Sequence, residues 1–142
     1  MIAPMSQRSF EFSSQPENLA SVRAFVRDFL EAEGIAGTAG EMLVLGVDEA
    51  CSNIIRHAYR DVPAQPISLF CERLGHTIQF RLRDFGAPAD SALFKKRPFD
   101  EVEPGGLGLH LIERIFDEAL YRPQPLGTEL VLLKRLGAPS EL

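Results

Sequence analysis

The chain has 142 residues, a net charge of −5 and a sequence pI of about 5.2, with 45% apolar and 25% charged residues. These values are ordinary for one globular domain with a substantial core. No Lys/Arg-rich run indicates nucleic-acid binding, and no apolar stretch approaches the roughly 20 residues of a membrane helix. The N-terminus lacks a signal-peptide core, and Cys51 and Cys71 lack a zinc-type spacing, which favours reduced thiols in a cytoplasm.

The first part of the chain predicts one strand and two helices. Alternation over 9–13 indicates a short edge strand. A helix opens at Pro16 and runs to about Glu33, with its apolar residues on one stripe and Gly34 after its end. A second helix is predicted over 41–59, after a connection that contains two more glycines.

The remainder predicts strands, a long loop and one helix. The predicted segments are a hairpin of 67–73 and 77–84, a mostly loop stretch 85–104, a helix 107–116, strands 119–122 and 128–134, and a frayed tail 137–142. Because helices and hairpins are mixed without βαβ alternation, we expect an α+β fold. Its form would be a two-layer α/β sandwich, with helices packed on one face of a mixed, mainly antiparallel sheet.

Three polar residues interrupt the apolar second helix at regular spacing. Glu49, Asn53 and His57 lie four residues apart, which places them on one stripe of an α-helix. A carboxylate can deprotonate a hydroxyl, and an Asn oxygen suits a hard cation such as Mg²⁺. By themselves these residues favour a solvated helix face over a site, and both interpretations stay open.

Two glycine-containing motifs follow in the second half. Asp84 ends a predicted strand and Gly86 lets the backbone turn, as in a ligand pocket or an ordinary strand exit. The run from Gly105 to Leu109, GGLGL, opens a helix, where free backbone N–H groups and the helix dipole favour an anion. A flexible hinge has the same composition. Gly-Thr before the last strand, with Thr128, indicates nothing alone.

The order of these motifs is more specific than any one of them. DEACSNIIRHAY (48–59) is similar to the N box of the GHKL, or Bergerat-fold, ATP-binding superfamily, DFGAPAD (84–90) to its first glycine box, and GGLGLHLI (105–112) to its second. The short chain and the closing GTELVLLKRL bring the resemblance closest to the anti-sigma-factor serine/threonine kinases of bacterial partner-switching systems. The similarity covers about 9–136, the expected core of a single domain spanning 1–142.

The resemblance implies a role for each motif residue. Glu49 would be the base that activates the attacking hydroxyl, and Asn53 would bind the Mg²⁺ that bridges the ATP phosphates. Arg56 and His57 would touch phosphates or line the pocket mouth. Asp84 would accept the adenine amino group. The other implied nucleotide-binding positions are Gly86 beside adenine, Gly105 as a lid hinge, Gly106, Leu107, Gly108 and Leu109 along the triphosphate, and Thr128 in support of adenine.

A short ATP lid is implied over 91–103. Its Lys95, Lys96 and Arg97 would meet phosphates or form a solvated charge run. The sequence departs from the family near Ala89, where an aromatic residue is frequent, so packing under the nucleotide differs there.

The implied function is phosphoryl transfer from Mg-ATP to a Ser or Thr of a small antagonist protein, by a cytoplasmic kinase that sequesters a sigma factor or a similar partner. A homodimer through the first strand and helix is a further expectation, and neither nucleic acid nor membrane is expected as a partner. Two alternatives stay open: an ATP-sensing binding module without phosphotransfer, and a stand-alone ATPase domain of the histidine-kinase type.

Overall fold

The computed structural model of the protein describes residues 3–87 and 106–137. Over these ranges the elements are β1 (Ser6–Ser13), α1 (Leu19–Ala32), α2 (Gly37–Asn53), β2 (Pro66–Leu74), β3 (Thr77–Asp84), α3 (Gly106–Ile115), β4 (Glu118–Pro123) and β5 (Thr128–Arg135). A 3₁₀ turn (Pro16–Asn18) precedes α1, and a π-turn (Ile54–Ala58) follows α2. Within the described ranges, every helix is too short or too polar to cross a membrane.

The strands form one sheet in the order β1-β2-β3-β5-β4. The predicted hairpin of β2 and β3 is present, with Leu74 paired to Thr77 across its tight turn. Each pairing between described strands is antiparallel, so the mixed character that we predicted is wrong for this part of the chain. The pairs β2–β3 and β4–β5 are hairpins, in which short turns require antiparallel strands. The pairs β1–β2 and β3–β5 are antiparallel as well.

The helices cover one face of the sheet. Phe80 in β3 has the ring of Phe29 from α1 edge-on at 6.5 Å between centroids, and that of Phe116 at 6.0 Å. At the sheet edge, Phe10 of β1 stacks on Phe25 of α1 at 5.0 Å. The α+β fold with helices on one face is therefore confirmed. The largest fully buried core side chains are Phe29, Phe80, Leu30, Ile67, Leu69, Ile78, Leu82, Ile112, Leu132, Val22, Val26 and Val47.

The end of α1 follows from its sequence. Gly34 adopts φ +79°, a conformation that favours glycine, and its N–H donates to the carbonyl of Glu31 at 3.0 Å. The next N–H, of Ile35, donates to the carbonyl of Leu30 at 2.8 Å. These two bonds form a Schellman motif, which satisfies the last carbonyls of the helix and turns the chain towards α2.

Several boundaries differ from the sequence predictions. Helix α2 begins at Gly37 rather than at 41 and ends at Asn53 rather than at 59, while β1 begins three residues earlier than expected, at Ser6. The predicted loop beyond residue 87 and most of the predicted tail lie outside the described residues. Because β1 pairs with β2 along its whole length, the tertiary partner sets its extent rather than its own alternation.

Candidate functional site

Asp84 holds a carboxylate where the sheet would otherwise bury an apolar side chain. The residues of β3 alternate between the helix-covered face and the open face, and Asp84 continues the buried series as the last residue of the strand. It is only 4% exposed. Its Oδ1 accepts a hydrogen bond from the N–H of Gly86 at 3.0 Å. The strand therefore ends on a buried acceptor with one partner in the following turn.

Thr128 completes this end of the sheet. It is the first residue of β5, lies directly opposite Asp84 in the strand register, and is buried. Burial raises the pKa of Asp84, and outweighs the opposing effects of backbone hydrogen bonds from Gly86 and Thr128 and of the Arg83 charge. A buried carboxylate of this kind is suited to accept a hydrogen bond from a ligand amine.

Asn53 closes α2 with a buried amide. It is 6% exposed, and its Oδ1 accepts a hydrogen bond from Nη2 of Arg56 at 2.8 Å. Its Nδ2 is buried and has no hydrogen-bond partner among the described residues. An unsatisfied buried donor of this type costs free energy and indicates a site that a ligand or water completes. Glu49 lies one helical turn earlier and is half-buried.

The predicted stripe holds for Glu49 and Asn53 but does not continue to His57. The α-helix ends at Asn53, and His57 falls in the π-turn, where residues are spaced differently around the axis. His57 and Arg56 are both exposed. Turns of this type occur frequently at functional sites, and this one brings the end of α2 towards the sheet.

The segment after Asp84 packs directly on the π-turn. The N–H of Ala87 donates to the carbonyl of Ala58 at 2.9 Å. A Cβ on Gly86 would lie 2.4 Å from that same carbonyl oxygen and 2.9 Å from Cδ1 of Tyr59. Only glycine fits this contact without displacing the backbone. The helix end that carries Asn53 and the strand end that carries Asp84 are thereby joined.

The second glycine box is only partly described. Gly105 and the predicted lid at 91–103 lie outside the described residues, as does Ala89, whereas Gly106, Leu107, Gly108 and Leu109 form the first turn of α3. A helix N-terminus carries free N–H groups and a partial positive charge. The other end of α3 is fixed on α2, since a Cβ on Gly46 would lie 2.5 Å from Cε2 of Phe116.

Two residues that sequence reasoning gave no role lie at this site. The hydroxyl of Tyr59 donates to the carbonyl of Pro66 at 2.6 Å and accepts from the N–H of Phe85 at 2.7 Å. Arg83 donates to the carbonyl of Asp84 and places its guanidinium over the Phe85 ring at 4.1 Å. The HAY sequence ending the N box was the available signal for Tyr59; nothing in the sequence distinguished Arg83.

The residues present fit a magnesium–nucleotide complex better than a protein-only metal site. No group of three or more His, Cys, Asp or Glu side chains within 3–87 and 106–137 converges on a metal position. Mg²⁺ in nucleotide sites commonly takes one or two protein oxygens and completes its shell with phosphates and water. Oδ1 of the buried Asn53 is an amide oxygen of the type that suits this role, and in this structure it accepts a hydrogen bond from Arg56.

Residues 12–134 match the family model of the histidine kinase-like ATPase domain. The chain therefore belongs to the histidine kinase-like ATPase family, as its three motifs predicted. Its curated relatives include anti-sigma factors and serine-protein kinases, which supports the narrower resemblance at the level of the family.

The relatives are distant but align over most of their length. An anti-sigma F factor from Anoxybacillus flavithermus is 27% identical over 146 aligned residues, covering 96% of this chain and 97% of that protein. The serine-protein kinase RsbW from Bacillus subtilis is 29% identical over 118 residues, covering 74% of this chain and 71% of that protein. The RsbW of Bacillus velezensis is 30% identical over the same coverage.

A solved structure shares the fold. The RsbU and RsbW domains of Rv1364c from Mycobacterium tuberculosis superpose with a TM-score of 0.68 at 21% identity, covering 94% of this chain. The chain spans 33% of the length of that larger protein. At this identity the likeness establishes the architecture alone.

Proposed function

We propose that this chain binds Mg-ATP, transfers the γ-phosphoryl group to a Ser or Thr hydroxyl of a small antagonist protein, and sequesters a sigma factor or a similar regulated protein. The observation that carries the proposal is the buried Asp84 carboxylate, at a strand end that packs on the same turn that follows Asn53. Relatives named serine-protein kinase and anti-sigma F factor support the same class of activity.

The adenine end of the proposed pocket is the end of β3. Asp84 would accept a hydrogen bond from the exocyclic amino group of adenine. Guanine has a carbonyl at that position and cannot donate this bond. Gly86 and Thr128 flank this carboxylate and hold it through backbone hydrogen bonds. Discrimination of this kind is strong because the wrong base would leave a buried polar group unpaired.

The phosphate end is the end of α2 together with the first turn of α3. Asn53 would hold Mg²⁺ through Oδ1, and Gly106, Leu107, Gly108 and Leu109 would present backbone N–H groups to the triphosphate, with Gly105 as the hinge and Arg56 and His57 at the pocket mouth. The metal, when bound, would neutralise charge on the phosphate oxygens.

Glu49 would act as the general base. In the proposed step it accepts the proton of the antagonist hydroxyl, while the hydroxyl oxygen bonds to the γ-phosphorus and the bond to the bridging oxygen breaks, which releases ADP. Catalysis of this kind rests on positioning and on charge neutralisation rather than on covalent chemistry of the enzyme.

The proposal includes a cytoplasmic location and a homodimer. The unpaired, buried thiols of Cys51 and Cys71 are consistent with a reducing compartment. The exposed edge of β1 and the neighbouring α1 offer a surface for a second copy, which light scattering of the purified protein would test.

The first experiment is thermal unfolding with and without Mg-ATP for wild type, Asp84→Asn and the surface control Asp28→Asn. A ligand at 100 times its Kd stabilises a protein by about 2.7 kcal/mol, enough to raise the Tm by several degrees. We expect this rise in wild type and in Asp28→Asn and its loss in Asp84→Asn. A wild type that does not respond to millimolar nucleotide would refute ATP binding.

The second experiment separates a kinase from a binding module. Wild type and Glu49→Gln are incubated with γ-labelled ATP and candidate small antagonist proteins from the same organism. We expect label on a Ser or Thr of one antagonist with wild type, and at least about a hundredfold less with Glu49→Gln at unchanged ATP affinity. Tight ATP binding with no labelled antagonist would favour the binding module.

A further inference from the structure

We propose that Tyr59 is a positioning residue that fixes the adenine-binding strand end on the helix end carrying Asn53, and so sets nucleotide selectivity. This inference rests on the proposed function and deepens it. Tyr59 does not touch the proposed reacting groups; it acts through the backbone of 85–87. We call Ala58, Tyr59 and residues 85–87 together the Tyr59 clasp.

The hydroxyl of Tyr59 sits between two strands. It donates to the carbonyl of Pro66, the first residue of β2, at 2.6 Å, and accepts from the N–H of Phe85, directly after β3, at 2.7 Å. Tyr59 as a whole residue is 6% exposed. A buried hydroxyl with one donated and one accepted bond has little freedom to move, so it defines where Phe85 lies.

The hydroxyl keeps its proton at neutral pH. Burial raises the pKa of Tyr59, and the Asp84 charge adds to this, while the bond from Phe85 and the Arg83 charge act in the opposite direction. The side chain therefore remains able to donate to Pro66 and accept from Phe85 at the same time.

The three consecutive backbone N–H groups that follow Asp84 are all hydrogen-bonded. The N–H of Phe85 is bonded to Tyr59, that of Gly86 to the Asp84 carboxylate at 3.0 Å, and that of Ala87 to the carbonyl of Ala58 at 2.9 Å. Two of these three anchors belong to the end of the N box. The orientation of the Asp84 carboxylate is thus tied to the clasp through Gly86.

The π-turn links the clasp to Asn53. The N–H of Tyr59 donates to the carbonyl of Ile54 at 3.0 Å, an i to i+5 bond that differs from the α-helical pattern. Ile54 directly follows Asn53. The same turn therefore leads from the proposed metal ligand, Asn53, to the clasp that holds the proposed adenine acceptor, Asp84. It fixes the position of these two residues relative to each other.

The test compares Tyr59→Phe with the matched control Tyr121→Phe, which removes a hydroxyl from β4, away from the clasp. ATP and GTP affinities are measured by calorimetry with Mg²⁺ present. We expect Tyr59→Phe to lower ATP affinity about tenfold with little change for GTP, so that the ATP to GTP ratio falls, because one anchoring hydrogen bond near Asp84 is lost. Tyr121→Phe should leave the ratio unchanged.

Three outcomes are decisive. An unchanged ratio in Tyr59→Phe, or an equal fall in both variants, would overturn the role of Tyr59 while leaving ATP binding by wild type intact. A wild type that binds neither nucleotide would instead refute the proposed function. Amide exchange gives a readout independent of nucleotide: the Phe85 N–H should exchange about tenfold faster in Tyr59→Phe than in wild type.

One measurement on wild type keeps the test decisive if Tyr59→Phe does not fold. Since coupling between two events is reciprocal, a clasp that favours ATP must itself be stabilised by ATP. Mg-ATP should therefore slow the exchange of the Phe85 and Ala87 amides about tenfold. Unchanged exchange in a protein that demonstrably binds ATP would overturn the inference.

Discussion

The Arg56 guanidinium donates to Asn53 Oδ1 at 2.8 Å, and this oxygen is the atom that we propose as the magnesium ligand. A cation already occupies the position that a metal would need. The two positive charges must compete for one carbonyl oxygen, since both are attracted to the same lone pairs.

Arg56→Ala is therefore expected to lower the Mg²⁺ concentration that half-saturates the nucleotide complex. Because Arg56 is exposed and partly screened by solvent, the change should be about two- to tenfold. The measurement is a Mg²⁺ titration of the ATP-induced rise in Tm. Arg8→Ala, an exposed arginine on β1, is the control and should not shift the midpoint. A higher Mg²⁺ requirement in Arg56→Ala would instead make Arg56 a phosphate ligand.

Gly46→Ala should destabilise the contact between α2 and α3. Its Cβ would meet the Phe116 ring at 2.5 Å and Cγ2 of Ile115 at 3.2 Å, both in the core. Overpacking costs about 1–3 kcal/mol, and the better helix propensity of Ala returns about 1 kcal/mol. We expect a net loss of up to about 2 kcal/mol in urea unfolding.

A double variant checks that this loss comes from Phe116. Phe116→Leu shortens the side chain that a residue-46 Cβ would strike, so adding Gly46→Ala to it should cost less than adding it to wild type. Gly137→Ala, where the new Cβ meets nothing within 4 Å, should be close to neutral. Additive losses in the double variant would show that the ring is not the obstacle.

Gly86→Ala tests a contact with backbone rather than with a side chain. The added Cβ would lie 2.4 Å from the Ala58 carbonyl oxygen, which cannot rotate away. We expect a loss of about 1–3 kcal/mol, together with faster exchange of the Ala87 amide and weaker ATP binding. Wild-type ATP affinity in this variant would mean that the nucleotide does not depend on how the segment after Asp84 is seated.

Glu72→Gln should remove an acid-sensitive part of the stability. Glu72 is a buried carboxylate on the open face of the sheet, bonded to Arg81 at 2.7 Å and to Gln79 at 2.9 Å. Burial raises the pKa of Glu72. The hydrogen bonds from Arg81 and Gln79 and the Arg81 charge together lower it by more than burial raises it, so the net pKa lies below 4.5.

A depressed carboxylate pKa stabilises the fold above the unfolded value, and that contribution is lost as the pH falls through the folded value. The difference in unfolding free energy between wild type and Glu72→Gln should thus be about 1–3 kcal/mol near neutrality and shrink below pH ~4.5. Urea titrations at several pH values measure it. Glu11→Gln, on an exposed part of β1, should show no such trend, and a pH-independent difference for Glu72→Gln would contradict the assignment.

Local patterns in the sequence were sufficient for β3 and its neighbours. The alternation over 77–84 predicted the strand at its observed bounds, and it placed the acidic residue Asp84 at the end of that strand. The start of α2 was missed because Gly37 and Gly40 have low helix propensity. Packing outweighs propensity at Gly40, since a Cβ there would lie 2.9 Å from the Ile35 carbonyl oxygen.

The clasp could not be predicted from spacing. Counting helical positions as far as Tyr59 assumes the α-helical hydrogen-bond pattern throughout. The π-turn lies where the backbone after Asp84 contacts Ala58, and this contact joins segments that are distant in sequence. The roles of Glu49, Asn53 and Thr128 came from motif order rather than from periodicity and remain predictions. Arg83 acquires its partners only in the folded chain, which is why the sequence did not distinguish it from a solvated arginine. For Arg56 the motif indicated a place at the pocket, but not its bond to Asn53.

The pairing of Asp84 with Thr128 also brings together the two ends of a long intervening segment of the chain. The predicted lid, α3 and β4 all lie between these two partners. Lengthening a loop within such a segment costs little, since each doubling of loop length adds only about 0.6 kcal/mol to loop closure. Residues can therefore be inserted between Asp84 and Thr128 without separating the two side chains that we propose at the adenine end of the pocket.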